Sequence, residues 1–581
     1  MPVHKSLLPS LLVLPLVACG VPVSGLHAAD PPASESPGGL VVAAEPLAAA
    51  AGTLMLDRGG NAIDAAVATG FALAVTYPAA GNLGGGGFLV ARIADEDGAT
   101  RTFALDFREV APAAATADMY LRARAEGRES ASTLGGLAAG VPGTVAGLIS
   151  AHERFGRLPL REVLAPAVYL AENGFNMTRR TAGFLASPGI RAGLESDPAS
   201  RRLFYPEGEP IAEGALFRQP DLARTIGGIA EMGAQGFYEG EIAALLVSTM
   251  RRSGGVITLE DLAGYRPVER IPVTFPFAGH TIVTMPPPSS GGICLQQMLT
   301  MLERIGSEGA GLAKMGHNSS ASLHLLAETM RRSFADRNRF LGDPDFVDLP
   351  LRRLVERGYL EELVRSIDPD RATPSADLPG GSAPGREREE TTHYSVLDAE
   401  GNAVAVTTTL NGAFGGKVLV EGAGFLLNNE MDDFATEPGE PNLYGLIQGE
   451  ANTIAPGKRP LSSMTPTLIL TPDGAVRGVL GTPGGPTIIT NVLQVILNLL
   501  VHKLPPQAAV NAPKIHHQHL PDAIWIEAEI VEDVRENLRR RGHEVRPRGW
   551  IGDFQLIWID PQSGRALGAS DPRGGGSPIV Q

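Results

Sequence analysis

A chain of 581 residues with 43% hydrophobic and 19% charged side chains has enough apolar material for a large core and lies outside the composition of disordered proteins. Its formal net charge of −15 leaves no basic stripe to neutralise phosphates, which argues against nucleic acid as a partner.

The first segment reads as an export signal. His4 and Lys5 give a basic start, Leu7 to Val17 are mostly apolar, and Leu16-Val17-Ala18-Cys19 has the form of a bacterial lipobox. The apolar run is short for a membrane span, so residues 1–18 are expected to be removed and the Cys19 thiol lipidated. The competing reading is ordinary cleavage after Ala29, which would put His27 where a small residue is preferred. Several acyl chains on one cysteine anchor firmly. Residues 19–37, rich in Ala, Pro and Ser, are then the tether, and the expected location is the periplasm, at a membrane. Cys294 is left without a disulfide partner.

Further along, Glu45 to Asp57 predicts a helix stopped by Gly59-Gly60, and Asn61 caps another that runs toward Val75 ahead of Pro78. Gly84 to Gly87 lacks the Lys-Ser/Thr of a phosphate loop and the spacing of a dinucleotide fingerprint, so it reads as close backbone packing. The strand Phe103 to Phe107 ends at Arg108. Alternating helical and strand patterns imply α/β content, with no internal repeat.

A charged run, Gly385 to Glu390, precedes Thr391-Thr392-His393-Tyr394-Ser395. This reads as a hidden N-terminus. A threonine hydroxyl is a poor nucleophile without an adjacent base, and a free α-amine on the same residue supplies one. Thr391 has that amine only after the bond from Glu390 is cut. The alternative is a solvated loop entering an ordinary strand. Downstream, Tyr394 to Leu397 alternates, Asp398 to Asn402 turns, and Ala403 to Thr409 returns, a hairpin that brings Thr409 and Asn411 back beside Thr391.

Polar groups then cluster in Asn428 to Phe434 and Lys458 to Met464, and Gly481-Thr482-Pro483-Gly484-Gly485 is a bare turn whose consecutive N–H groups suit a developing oxyanion. His516-His517-Gln518-His519 invites a metal, but no second ligand cluster lies at suitable spacing, and a structural role is expected. No G-x-S-x-G elbow is present.

Taken in order, Gly59 to Ala66, Gly81 to Phe88, Asp106 to Glu109, Ala138 to Thr144, Pro286 to Gly292, the Thr391 segment, Asp432-Asp433, Arg459 to Met464 and Gly568 to Arg573 resemble the bacterial γ-glutamyltransferase (γ-glutamyl transpeptidase, glutathione hydrolase) family of N-terminal-nucleophile hydrolases. The resemblance implies an αββα sandwich made of two associated chains, 38–390 and 391–581, after self-cleavage between Glu390 and Thr391. It implies a γ-glutamyl hydrolase and transferase acting on glutathione and related donors through an ester on Thr391, with water, an amino acid or a dipeptide as acceptor, and no cofactor or metal. Thr409 would orient the nucleophile, and Gly484 and Gly485 would form the oxyanion hole. Arg108, Ser462 and Ser463 would hold the donor's α-carboxylate, Asn411, Glu430 and Asp433 its α-ammonium, and Tyr444 would wall a lid over the pocket. The chain departs from the family at Pro486-Thr487, where a serine and a basic residue are common. Alternatives are a cephalosporin or glutaryl acylase, a poly-γ-glutamate processing enzyme, or an uncleaved γ-glutamyl-binding lipoprotein. Asp433 argues against the glutaryl reading, because that acyl group has no amine to pair with it.

Overall fold

Two seven-stranded sheets face each other and carry helices on their outer surfaces, a four-layer αββα arrangement. The computed structural model describes residues 34–36, 39–94, 98–307, 311–378, 391–435, 442–443 and 445–580. Cys19, Glu390 and Tyr444, with the signal segment and most of the tether, lie outside them.

The first sheet runs Ser577–Val580, Leu40–Ala43, Thr391–Leu397, Ala403–Thr409, Gly86–Ala94, Thr100–Phe107, Val268–Arg270. The second runs Ser34–Ser36, Ala566–Ser570, Gln555–Ile559, Val476–Gly481, Thr467–Leu470, His280–Thr284, Val273–Phe277. Each sheet therefore contains strands from both before and after Thr391. A cut at that point would leave each piece hydrogen-bonded to the other through whole ladders.

Side-chain alternation assigns the layers. Val41, Ala43, Tyr394, Val396, Val404 and Val406 pack toward the helices Pro46–Asp57 and Ala62–Thr76, whereas Leu40, Val42, Leu397, Ala403 and Ala405 face the second sheet. The buried helices Gly291–Ser307, Ser320–Phe340 and Thr487–Leu500 cover that sheet's outer side.

Both helices read from the sequence near the amino-terminal end are present. The second is closed by a capping box in which the Asn61 side chain accepts from Asp64 N and the Asp64 carboxylate accepts from Asn61 N. One expectation needs correction. Ser34–Ser36, assigned to the tether, is an edge strand on Ala566–Ser570. Edge pairing uses backbone groups alone, so composition gives no warning of it.

Candidate active site

Thr391 begins the first strand of the expected hairpin and pairs in register with Thr409 at the end of the second. Their Oγ atoms lie 3.3 Å apart, both on the face turned toward the other sheet, and the Thr409 oxygen also accepts from Asn411 N at 2.8 Å. The neighbourhood of Thr409 is fixed by Asn82, whose Nδ2 donates to Thr409 O at 2.9 Å while its Oδ1 accepts from Gly85 N and Thr144 Oγ. The glycines from Gly84 to Gly87 permit this. A Cβ on Gly85 would stand 2.0 Å from Thr409 O, and one on Gly87 2.4 Å from Thr407 O.

One narrow cavity of about 20 Å³ is lined by Thr391, Thr409, Arg108, Asn411, Glu430, Asp433, Ser462, Ser463 and Gly485, bringing together nearly every candidate residue. Gly484 instead lines a neighbouring cavity of about 810 Å³, bounded also by Arg179, Phe184, Trp550 and Arg573. The two glycines thus stand between a small polar chamber and a much larger cavity.

Inside the chamber the expected receptors of opposite charge bond to each other. The Arg108 guanidinium donates to both Glu430 and Asp433, and the Glu109 carboxylate lies 3.6 Å away. One buried cation therefore faces three buried carboxyls. Burial alone would disfavour the charged guanidinium, but the acids outweigh that and hold Arg108 above the ordinary range. Burial likewise raises the acids, against the pull of Arg108: Glu109 is pushed up to about 8, and Glu430 and Asp433 are also raised. Neither Glu109 oxygen has a hydrogen-bond partner among the described residues.

The hydroxyl pair is braced by the Pro286 to Gly292 stretch. Ser462 N donates to Pro288 O, Ser290 N and Oγ both donate to Ser462 O at 2.8 and 2.7 Å, and Ser289 Oγ donates to Met464 O. At the oxyanion candidates, Gly484 has φ 137° and Gly485 φ 53°, conformations that a side chain would strain. Pro486 follows with φ −64° and ψ −23° just ahead of the helix Thr487–Leu500, a setting that suits proline, since helix-start N–H groups need no intrahelical acceptor.

A family model described as gamma-glutamyltranspeptidase matches residues 48–580. The chain belongs to the γ-glutamyltranspeptidase family. It is 43% identical over 535 residues to the glutathione hydrolase proenzyme of Escherichia coli, covering 92% of this chain and 90% of that protein. To the glutathione hydrolase proenzyme of a Pseudomonas species it is 45% identical over 558 residues, covering 94% and 95%. Among solved structures, cephalosporin acylase from Bacillus halodurans aligns with a TM-score of 0.83 at 27% identity, covering 97% of this chain and 99% of that one.

Several residues of this γ-glutamyltranspeptidase site escaped the sequence reading. Asn428 satisfies its whole amide by donating to Gly84 O and Gly140 O and accepting from Gly140 N and Glu430 N. Glu109 and Asn82 lay within quoted motifs but had no assigned contact. Arg337, which also lines the chamber, comes from the helix Ser320–Phe340 and had no motif to mark it.

The histidine run is buried and bonded within the protein. His516 pairs with Thr490 and Gln518, and His517 with Arg331; burial pulls them down to about 3 and about 4, so both are neutral at physiological pH. Among the described residues, His324, Glu328 and His543 come close enough together to share a cation. Their chemistry does not fit one. His324 Nδ1 bonds His543 Nε2 at 2.7 Å, and the Glu328 carboxylate is engaged by Arg331 and Arg332.

Proposed function

We propose that this protein is a γ-glutamyl hydrolase and transferase that acts on glutathione and related γ-glutamyl amides, with Thr391 as nucleophile after the chain is cut between Glu390 and Thr391. The observation that carries the reading is the chamber itself, where a threonine hydroxyl shares a space of about 20 Å³ with two guanidinium groups, paired carboxyls and two serine hydroxyls. A γ-glutamyl group presents an α-ammonium and an α-carboxylate at one end and the reacting carbonyl at the other. Its carboxylate can take over bonds from Arg108 with Ser462 and Ser463, while its ammonium replaces Arg108 as partner of Glu430, Asp433 and Asn411. The exchange conserves charge, so the buried acids are not left unpaired.

With the γ-carbonyl held against Thr391, the free α-amine of that residue takes the hydroxyl proton as Oγ attacks, and Thr409 orients the hydroxyl. Gly484 and Gly485 N–H stabilise the oxyanion, and the amine of the leaving peptide departs with a proton. Water or an acceptor amine then resolves the ester, entering through the larger cavity beyond Gly484. Pro486 removes a donor next to the oxyanion loop without disturbing the two glycines ahead of it, so it does not argue for a catalytically silent binding protein.

The likeness to a cephalosporin acylase raises the acylase reading, but a glutaryl group has no ammonium to replace Arg108 as partner of Glu430 and Asp433 when its carboxylate draws Arg108 away from them. We also propose that the protein is exported and tethered through a lipid on Cys19, supported by the lipobox form of Leu16 to Cys19. Among the described residues no helix is long and apolar enough to cross a membrane.

An intact mass spectrum after incubation at neutral pH tests the first step and should give two chains divided between Glu390 and Thr391. Release of p-nitroaniline from γ-glutamyl-p-nitroanilide tests the second. A single uncut chain with no release removes the proposal. The mass of the mature amino-terminal fragment tests the anchor, and a chain starting elsewhere than an acylated Cys19 removes that part.

A further inference from the structure

Arg337 lies in the last turn of the helix Ser320–Phe340, with its guanidinium buried at the chamber wall. Nε donates to Ser290 Oγ at 3.0 Å, Nη2 to Ser463 Oγ at 3.2 Å and Nη1 to Asn338 Oδ1 at 3.1 Å. All three acceptors are neutral. The carboxylate whose charge acts on it is Asp433, which is already bonded to Arg108.

The two arginines of the chamber are therefore in opposite electrostatic situations. Arg108 has more carboxyl groups around it than one guanidinium can pair with. Arg337 has fewer, and burial pulls it down to about 10, which still leaves it a cation at neutral pH. A buried cation bonded only to neutral oxygens is unfavourable unless an anion meets it at some stage.

Its contacts say where that anion would sit. Arg337 grips the Ser462-Ser463 pair at two points. It bonds Ser463 Oγ directly, and it bonds Ser290 Oγ, which in turn donates to Ser462 O at 2.7 Å. Because Ser463 Oγ accepts from Arg337, its own proton is left to donate, and a hydroxyl donor backed by a cation is suited to a carboxylate.

We infer that Arg337 is a specificity-determining residue for the donor's α-carboxylate, fixing Ser462 and Ser463 as its hydrogen-bond donors and supplying the positive charge that balances it. The inference rests on the γ-glutamyl reading of the chamber. Arg108 meets the same carboxylate once the donor's ammonium has taken its place on Glu430 and Asp433, and Arg337 stands behind the two serine donors.

The test compares L-glutamate with 4-aminobutanoate, which is the same molecule without the α-carboxylate, as competitive inhibitors of γ-glutamyl-p-nitroanilide turnover. Turnover by the unaltered enzyme establishes the underlying reading, and its absence would remove that reading rather than this inference. Given turnover, Arg337→Gln should weaken glutamate by roughly 10- to 100-fold, the worth of one charged hydrogen-bonding partner. It should leave 4-aminobutanoate within about threefold, and it should raise the donor KM more than it lowers kcat. Arg337→Lys should recover part of the loss, because the charge returns without the fork geometry. Ser290→Ala keeps the charge and removes one grip, so it should weaken glutamate by a smaller factor in the same selective manner. If Arg337→Gln does not fold, Arg337→Lys and Ser290→Ala decide. Equal weakening of both inhibitors, or an unchanged glutamate constant, overturns the inference.

Discussion

Thr391 and Thr409 oppose each other in register across an antiparallel strand pair with their hydroxyl oxygens 3.3 Å apart. The contact ties a residue at the beginning of one strand to the last residue of the next, so the hairpin itself does the positioning. Thr391→Ala is expected to abolish both chain cleavage and turnover, while Thr391→Ser should retain both at a reduced rate. Thr409→Val keeps the shape and removes the oxygen that accepts from Thr391 and Asn411. Its kcat should fall by roughly 10- to 100-fold, the worth of one or two oriented hydrogen bonds, with KM little changed. Steady-state release of p-nitroaniline measures both, and a variant with full kcat would deny Thr409 an orienting role.

Arg108 is the only cation bonded to Glu430 and Asp433 among the described residues. Removing one partner of a buried pair costs about 3–5 kcal/mol when the other keeps its charge. Here the acids are already raised by burial, and without Arg108 they would hold protons still more firmly. A carboxyl whose folded value lies above its unfolded value stabilises below the unfolded value and loses that contribution as pH rises through the folded one. Arg108→Met should therefore lose more stability at pH 9 than at pH 6. Urea unfolding at the two pH values checks this, and a loss independent of pH would mean that the acids stay ionised.

The hairpin was legible because its signals are local: alternation, a turn of suitable composition, and β-branched residues on the return strand. The αββα class and the candidate set came from the order of many short motifs, each ambiguous alone. What escaped detection depends on tertiary neighbours. Nothing in Ala335-Asp336-Arg337 distinguishes a buried arginine beside a pocket from one paired on a helix surface. The mutual bonding of Arg108 with Glu430 and Asp433 was equally hidden, because residue types show which groups could receive a zwitterion but not that they satisfy one another. Ser34–Ser36 escaped because an edge strand needs only backbone.

Glu109 gives the chamber a pH response. Its carboxyl is pushed up to about 8 by burial, with Asp433 and Asp106 adding to the rise and Arg108 opposing it. It is therefore largely neutral at pH 6 and ionised above 8. In the folding balance its contribution is present below the ordinary carboxyl range and is lost as pH rises through about 8. Donor binding has the opposite sign, because an ammonium is attracted to the ionised cluster. KM for the chromogenic donor should fall between pH 6.5 and 8.5, by up to roughly 10-fold for one unit of coupling. Glu109→Gln should flatten that fall. Retention of the full pH profile in the variant would assign it to another group.

The turn at Gly484-Gly485 permits a test of whether Pro486 matters. Gly485 has φ 53°, a left-handed conformation that costs a residue with a Cβ about 1–2 kcal/mol. Gly485→Ala should thus shift the backbone N–H proposed to meet the oxyanion, and kcat should drop by roughly 10- to 1000-fold, the range seen when one such donor is lost or displaced. Pro486 is in a different position. Its φ of −64° is natural to proline, and it immediately precedes the helix Thr487–Leu500, where Thr487 N and Oγ both bond Gly484 O. That pair of bonds holds the turn closed from the helix side, whatever residue stands at 486. Restoring a backbone donor with Pro486→Ser should therefore leave kcat within about threefold, since one N–H outside the two glycines adds little where they already suffice. A larger gain in kcat would show that this chain works with an incomplete oxyanion hole.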